Sequence, residues 1–147
     1  MFNILLTGAS GFIGSNILNK IKLENKVYVI QRKKTKIKIK KDKNINVIEF
    51  NNFESLDKKL KKIRANVIIH CATHYKKNHE LKDIEKFNQS NILLGNIILE
   101  NLQNLKAKKF INFTTTWEAE NGQMNNPKNL YAAYKSSFNC LLEYYKK

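Results

Sequence analysis

The chain has 147 residues, with 27 Lys and Arg against 12 Asp and Glu, giving a formal net charge of +15. Its hydrophobic fraction of 42% excludes a wholly disordered chain, and 5 Gly with 1 Pro exclude collagen-like or Pro/Gly-rich low-complexity sequence. No stretch approaches the roughly 18 uninterrupted apolar residues of a membrane span. The length suits one domain over residues 1–147, with no second. The apolar N-terminus lacks a basic leader and is broken by Gly8, Gly11 and Gly14, so no signal peptide is expected. Two cysteines, Cys71 and Cys140, make no disulfide framework and fit a reducing, cytoplasmic setting.

In chain order, Phe2 to Thr7 is a short apolar run stopped by Gly8, the pattern of a buried strand. Ile13, Ile17 and Ile21 then recur every four residues beside Leu18, one apolar face of a helix. Val27–Ile30 and Ile45–Phe50 read as the second and third strands, and Phe53 to Arg64 as an amphipathic helix through Phe53, Leu56, Leu60 and Ile63. Val67–Ile69 is a fourth strand running into His70, Cys71 and Ala72. A long helix is expected from about Leu81 to Leu105, with Ile84, Phe87, Asn91, Leu94, Ile98 and Leu102 along one side. Phe110–Phe113 is a fifth strand, and a polar loop with Gly122 and Pro127 leads to a last helix starting near Tyr131. Alternating strands and helices specify an α/β chain with a doubly wound parallel sheet, since each parallel crossover needs a dozen or more residues.

The charge invites a nucleic-acid reading, because Lys and Arg replace counterions along phosphate backbones. Only Arg32 and Arg64 are arginines, however, and the lysines are spread along the chain, so nucleic acid is not the favoured partner. The dense cluster Arg32–Lys43 reads either as a solvated loop or edge strand or, in its first residues, as a phosphate site.

Gly8-Ala9-Ser10-Gly11-Phe12-Ile13-Gly14 follows the first strand and opens the first helix. In that context the first Gly permits a tight turn, the second lets backbone approach a pyrophosphate, and the third lets helix and strand pack closely. The helix N-terminus would then hold the phosphates. With Thr7 before it, this segment resembles the opening of the extended short-chain dehydrogenase/reductase family, which contains the NAD-dependent, nucleotide-sugar-modifying epimerases, dehydratases and reductases. The resemblance implies a Rossmann-like NAD(P)-binding domain ending in the catalytic helix. It covers the whole chain but only the first half of the family pattern: about five strands, with the C-terminal substrate domain absent. It therefore implies an enzyme whose cofactor half, taken alone, binds cofactor without turnover. A homodimer is left open.

At the end of the second strand a carboxylate would bond the adenosine ribose and select NAD, whereas a basic residue would pair with the 2′-phosphate of NADP. Gln31-Arg32-Lys33-Lys34 has no carboxylate there, so Arg32 and Lys33 point to NADP(H), with NAD the alternative.

Tyr131-Ala132-Ala133-Tyr134-Lys135 matches the family's Y-x-x-x-K motif, and positions i and i+4 share a helix face. The resemblance assigns Tyr131 to proton exchange with the sugar, and Lys135 both to lowering the Tyr131 pKa and to the nicotinamide ribose. The family's Ser or Thr beyond the fifth strand falls among Thr114, Thr115 and Thr116; its spacing selects Thr116, with Thr115 as fallback. Ala72, in the turn beneath the cofactor, and Asn91, in an Asn-containing helix motif, resemble supporting positions of the cofactor site. His70, His74, His79 and Cys71 fit no familiar zinc spacing, and no metal is expected.

The family's dehydratases carry an Asp-Glu pair directly after the Ser/Thr. Here the residues are Trp117 and Glu118, which argues against dehydration. The remaining readings are reduction of a 4-keto nucleotide sugar and 4-epimerisation of a nucleotide sugar. Arg32 favours the NADPH-linked reductase. Cys71–Tyr75 and the short gap from Thr116 to Tyr131 also resemble CDP-sugar 4-keto reductases of the CDP-abequose synthase type. A non-catalytic dinucleotide-binding domain and a basic nucleic-acid-binding protein are the competing classes.

Overall fold

A computed structural model describes residues 1–35, 39–40, 42–123 and 125–146. Parts of the basic cluster (Lys36, Ile37, Lys38 and Lys41) therefore lie outside the described residues, as do Met124 and Lys147. The chain falls into two compact units, one of residues 1–72 with 100–112 and one of residues 73–99 with 113–147.

The first unit holds a five-stranded, all-parallel, Rossmann-like sheet. Its strands are β1 (Asn3–Thr7), β2 (Lys26–Arg32), β3 (Ile45–Phe50), β4 (Val67–His70) and β5 (Lys109–Asn112), in the order β3-β2-β1-β4-β5. Leu5, Leu6, Val27, Val29 and Ile68 are buried, as expected for apolar runs in a sheet covered on its faces. The order reverses beside β1, whose neighbours are β2 and β4, and in such sheets ligands bind outside the carboxyl ends of the strands at that reversal. Gly8 follows β1 and Ala72 lies just past β4, so the glycine turn and the fourth-strand turn flank this point.

Helix α1 (Phe12–Ile21) buries Gly14 and Leu18, while Ile13 is exposed, so its inward face is rotated from the expected Ile13–Ile17–Ile21 stripe. The close approach of Gly14 to the turn turns that position inward instead. Helix α2 (Phe53–Leu60) starts from a reciprocal Asn52–Ser55 cap and buries Leu56 and Leu60. It ends four residues before the expected Arg64, because the Ile63 amide closes a tight turn on the Leu60 carbonyl.

The expected 81–105 helix is four consecutive pieces. Helix α3 (Leu81–Phe87) passes into a π-helical turn (Asn88–Leu93), then α4 (Leu94–Glu100), and after Asn101 the short α5 (Leu102–Leu105). The wider π turn absorbs one residue and shifts the register before it, so Asp83 is buried where Ile84 was expected and Ile84 is 40% exposed. At Asn101 the backbone leaves helical geometry, and the buried side chain donates to Asp57 Oδ1 at 2.8 Å. Helix α6 (Leu130–Tyr145) closes the chain, with the Asn129 side chain accepting from the Ala132 amide at 2.9 Å. No helix among the described residues is long and apolar enough to cross a membrane.

Candidate functional site

Two groups of predicted site residues lie in the two units, and each has its own geometry. In the first, Gly8 adopts φ +71°, and a Cβ there would stand 2.6 Å from the Ala72 nitrogen. Gly14 is equally constrained, since its Cβ would be 2.2 Å from the Gly8 carbonyl oxygen. Gly11 is different. Its φ is −87°, and a Cβ would meet only the Gly8 oxygen at an ordinary 3.4 Å. The packing of the chain thus explains Gly8 and Gly14 but supplies no reason for Gly11; close approach of a ligand would supply one.

The start of α1 is also left open. Gly11 has no side chain to cap it and the first turn carries no acid, whereas Asn52 caps α2 and Asn129 caps α6. The first-turn amides, over Phe12, Ile13 and Gly14, are therefore available to an anion, with exposed Ser10 and Phe12 beside them. Thr7 anchors the turn: its hydroxyl shares a 2.9 Å hydrogen bond with His70 Nδ1 and accepts from the Ala72 amide at 3.0 Å. Thr7 and His70 are fully buried register partners, so this pair fixes the ends of β1 and β4 together. No sequence signal distinguished Thr7 or His70 as a clamp; the contact appears only once the parallel register is known.

Arg32 is the last residue of β2, half-buried, with its guanidinium 5.9 Å from the centre of the Phe53 ring. Burial lowers its pKa from the ordinary arginine value. The Lys33 amide donates to the Phe50 carbonyl at 2.9 Å and the Lys33 residue is exposed. This corner is therefore cationic and built on the start of α2.

In the second unit, Tyr131 and Lys135 lie one turn apart on α6, with Lys135 4% exposed and Tyr131 half-buried. The expected lowering of the Tyr131 phenol is not what its surroundings produce. Burial, the largest influence, raises its pKa above the ordinary tyrosine value; hydrogen bonding with Thr73 pulls it down, and the Glu118 carboxylate raises it. Tyr134, the neighbouring tyrosine, instead stacks on Phe87 with ring centres 5.4 Å apart.

The three threonines separate by what their hydroxyls do. Thr114 donates to Glu118 Oε1, and Thr115 accepts from the Trp117 amide at 3.3 Å as the cap of a single 3₁₀ turn, Thr116–Glu118. Thr116 is exposed, and among the described residues its hydroxyl makes no hydrogen bond. Glu118 is fully engaged: Oε1 also accepts from the Thr115 amide at 3.3 Å, and Oε2 from Asn139 Nδ2 at 2.6 Å.

Asn91 is buried inside the π-helical turn and grips the segment after β4. Its Oδ1 accepts from the His74 amide at 2.6 Å and the Thr73 hydroxyl at 3.2 Å, while its Nδ2 donates to the His74 carbonyl at 3.1 Å. One side-chain amide thus satisfies both backbone groups of His74.

Known proteins share this fold. The family model described as the NAD dependent epimerase/dehydratase family matches residues 4–147. The dTDP-D-glucose 4,6-dehydratase of Dictyostelium discoideum is 29% identical over 180 residues, covering 98% of this chain and 40% of that protein. Among solved structures, the UDP-glucose 4-epimerase of Thermotoga maritima with UDP-glucose superposes with a TM-score of 0.81 at 24% identity, over 97% of this chain and 50% of that one. The Bordetella bronchiseptica enzyme WbmH in complex with NAD+ gives 0.78 at 21% identity, over 99% and 53%. The chain thus spans about half the length of these relatives.

Proposed function

The chain belongs to the NAD dependent epimerase/dehydratase family, and on that premise we propose that it carries the cofactor and proton-transfer residues for NADPH-linked reduction of a 4-keto nucleotide sugar. The observation that carries the reading is Arg32. A half-buried cation ends β2 at the position where a carboxylate would select the unphosphorylated ribose.

The glycine turn fits a dinucleotide, since Gly11 leaves open the space that a side chain would fill and α1 begins without a cap. Gly8, Ser10, Gly11, Phe12, Ile13 and Gly14 would hold the pyrophosphate, and Arg32 and Lys33 the 2′-phosphate; Lys135 would meet the nicotinamide ribose, while Asn91, committed to Thr73 and His74, would fix that backbone rather than touch the cofactor. When bound, the dinucleotide supplies the hydride. Tyr131, its pKa raised by burial, donates its phenolic proton to the C4 oxygen. Thr116, whose hydroxyl is uncommitted, hydrogen-bonds the same oxygen as charge develops on it.

Dehydration fits less well, although the Dictyostelium relative is named for it. Position 117 is Trp, which has no carboxyl group to protonate a leaving hydroxyl, and both oxygens of the adjacent Glu118 are engaged by Thr114, the Thr115 amide and Asn139. A 4-epimerase is the second reading, favoured by the likeness to UDP-glucose 4-epimerase, and would use the same Thr116, Tyr131 and Lys135 with NAD.

Titration with NADPH and NADH tests the cofactor choice. Arg32→Asp should weaken NADPH binding about tenfold or more, about 1.4 kcal/mol, while leaving NADH little changed. Equal loss for both cofactors would sink the NADPH-linked reading.

A further inference from the structure

Three aromatic rings gather in the second unit. Tyr75 meets Tyr131 edge-to-face, with centres 5.1 Å apart and planes at 87°, and lies 6.1 Å from Trp117. Each of its neighbours is half-buried, yet Tyr75 keeps 50% of its surface exposed.

The backbone beneath these rings is fastened on both sides. Tyr75 directly follows His74, whose amide and carbonyl are both held by Asn91. Trp117 sits in the 3₁₀ turn that Thr115 caps and that Glu118 ties to Asn139 on α6. The Trp117 carbonyl accepts from the Lys128 amide at 3.0 Å, and the Lys128 ammonium stands 5.7 Å from the indole ring. A rigidly held yet exposed aromatic group is preorganised for a ligand, because little side-chain freedom remains to be lost on binding.

Its polar surroundings define the ligand. The free hydroxyl of Thr116 precedes Trp117, and the Tyr131 phenol adjoins Tyr75. A flat molecule with C–H groups on its face and hydroxyls at its rim matches an aromatic wall bordered by hydroxyls.

We infer that Tyr75 and Trp117 form a stacking wall for the apolar face of a hexopyranose ring, presenting a ring oxygen substituent to Tyr131 and Thr116. This deepens the proposed nucleotide-sugar reading and rests on it. It assigns sugar specificity to two residues that take no part in proton transfer.

Saturation-transfer NMR of UDP-glucose with the 147-residue chain tests it, because the method reads weak binding and distinguishes sugar from uridine protons. The sugar-ring C–H protons should receive the strongest saturation. Tyr75→Ala should reduce it several-fold and Tyr75→Phe, which keeps the ring, should retain it. Trp117 is the sole tryptophan, so its emission gives a second measurement on unmodified protein: UDP-glucose should shift it and UDP should not. Saturation confined to the uridine protons, a Tyr75→Ala pattern identical to wild type in a folded variant, or Trp117 emission unmoved by bound UDP-glucose would each overturn the wall and leave the nucleotide-sugar reading standing. Saturation of no UDP-glucose proton would overturn the wall as well.

Discussion

Gly14 packs directly on the carbonyl of Gly8: a Cβ at Gly14 would lie 2.2 Å from the Gly8 oxygen, well inside contact distance. The third glycine of the turn is thus required by the join between β1 and α1, whatever the turn binds. Gly14→Ala should cost about 1–3 kcal/mol of stability through overpacking. Gly11→Ala, whose Cβ would meet only the Gly8 oxygen at an ordinary 3.4 Å, should stay within about 0.5 kcal/mol of wild type. Urea unfolding of the two variants measures the contrast; equal destabilisation would mean that Gly11 too is a packing glycine.

Acid stability should depend on Asp83. Its carboxylate is buried on α3 and accepts from Lys76 Nζ at 2.7 Å and from the Glu80 amide at 3.0 Å. The Lys76 ammonium, the largest influence, and the Glu80 amide hold its pKa far below the ordinary carboxylate value. A lowered folded pKa contributes stability that is present above the unfolded value of about 3.9 and is lost as pH falls below it. The urea midpoint should therefore drop as pH falls below about 4. Asp83→Asn should lower the midpoint at neutral pH and flatten the acid limb. An unchanged acid limb in that variant would assign the loss to other carboxylates.

Helix α5 ends on Lys106 in the left-handed region, φ 55°, where its amide donates to Gln103 and the Ala107 amide to Leu102. Glycine occupies this position without the Cβ penalty. Lys106→Gly should raise stability by about 1 kcal/mol, seen as a higher urea midpoint with the same slope. A loss of stability would show that the lysine side chain contributes more than its backbone strain costs.

Much of this was legible in the residues because hydrophobic period and glycine context are local signals. The third strand spans Ile45–Phe50 as expected, and the other strands lie within two residues of their expected bounds at either end. The 81–105 segment misled because Asn91 and Asn101 break regular helix through partners that periodicity does not contain: His74 and Thr73 for one, Asp57 for the other. Asp83 in place of Ile84 on the buried face follows from that same wide turn. Spacing alone pointed to Thr116; what it did not contain is that Thr114 and Thr115 spend their hydroxyls on the Glu118 turn. The Tyr131 phenol shows a further limit: its sequence neighbour Lys135 suggests a lowered pKa, whereas burial raises it.

Whether the glycine turn and Arg32 hold a phosphorylated nicotinamide dinucleotide is decided by nucleotide fluorescence titration of the wild-type chain, Gly11→Ala and Arg32→Asp with NADPH and NADH. Wild type should bind NADPH saturably, Gly11→Ala should lose about tenfold or more for both nucleotides, and Arg32→Asp should lose affinity for NADPH alone. Absence of binding by either nucleotide, or binding that Gly11→Ala leaves unchanged, would contradict that assignment.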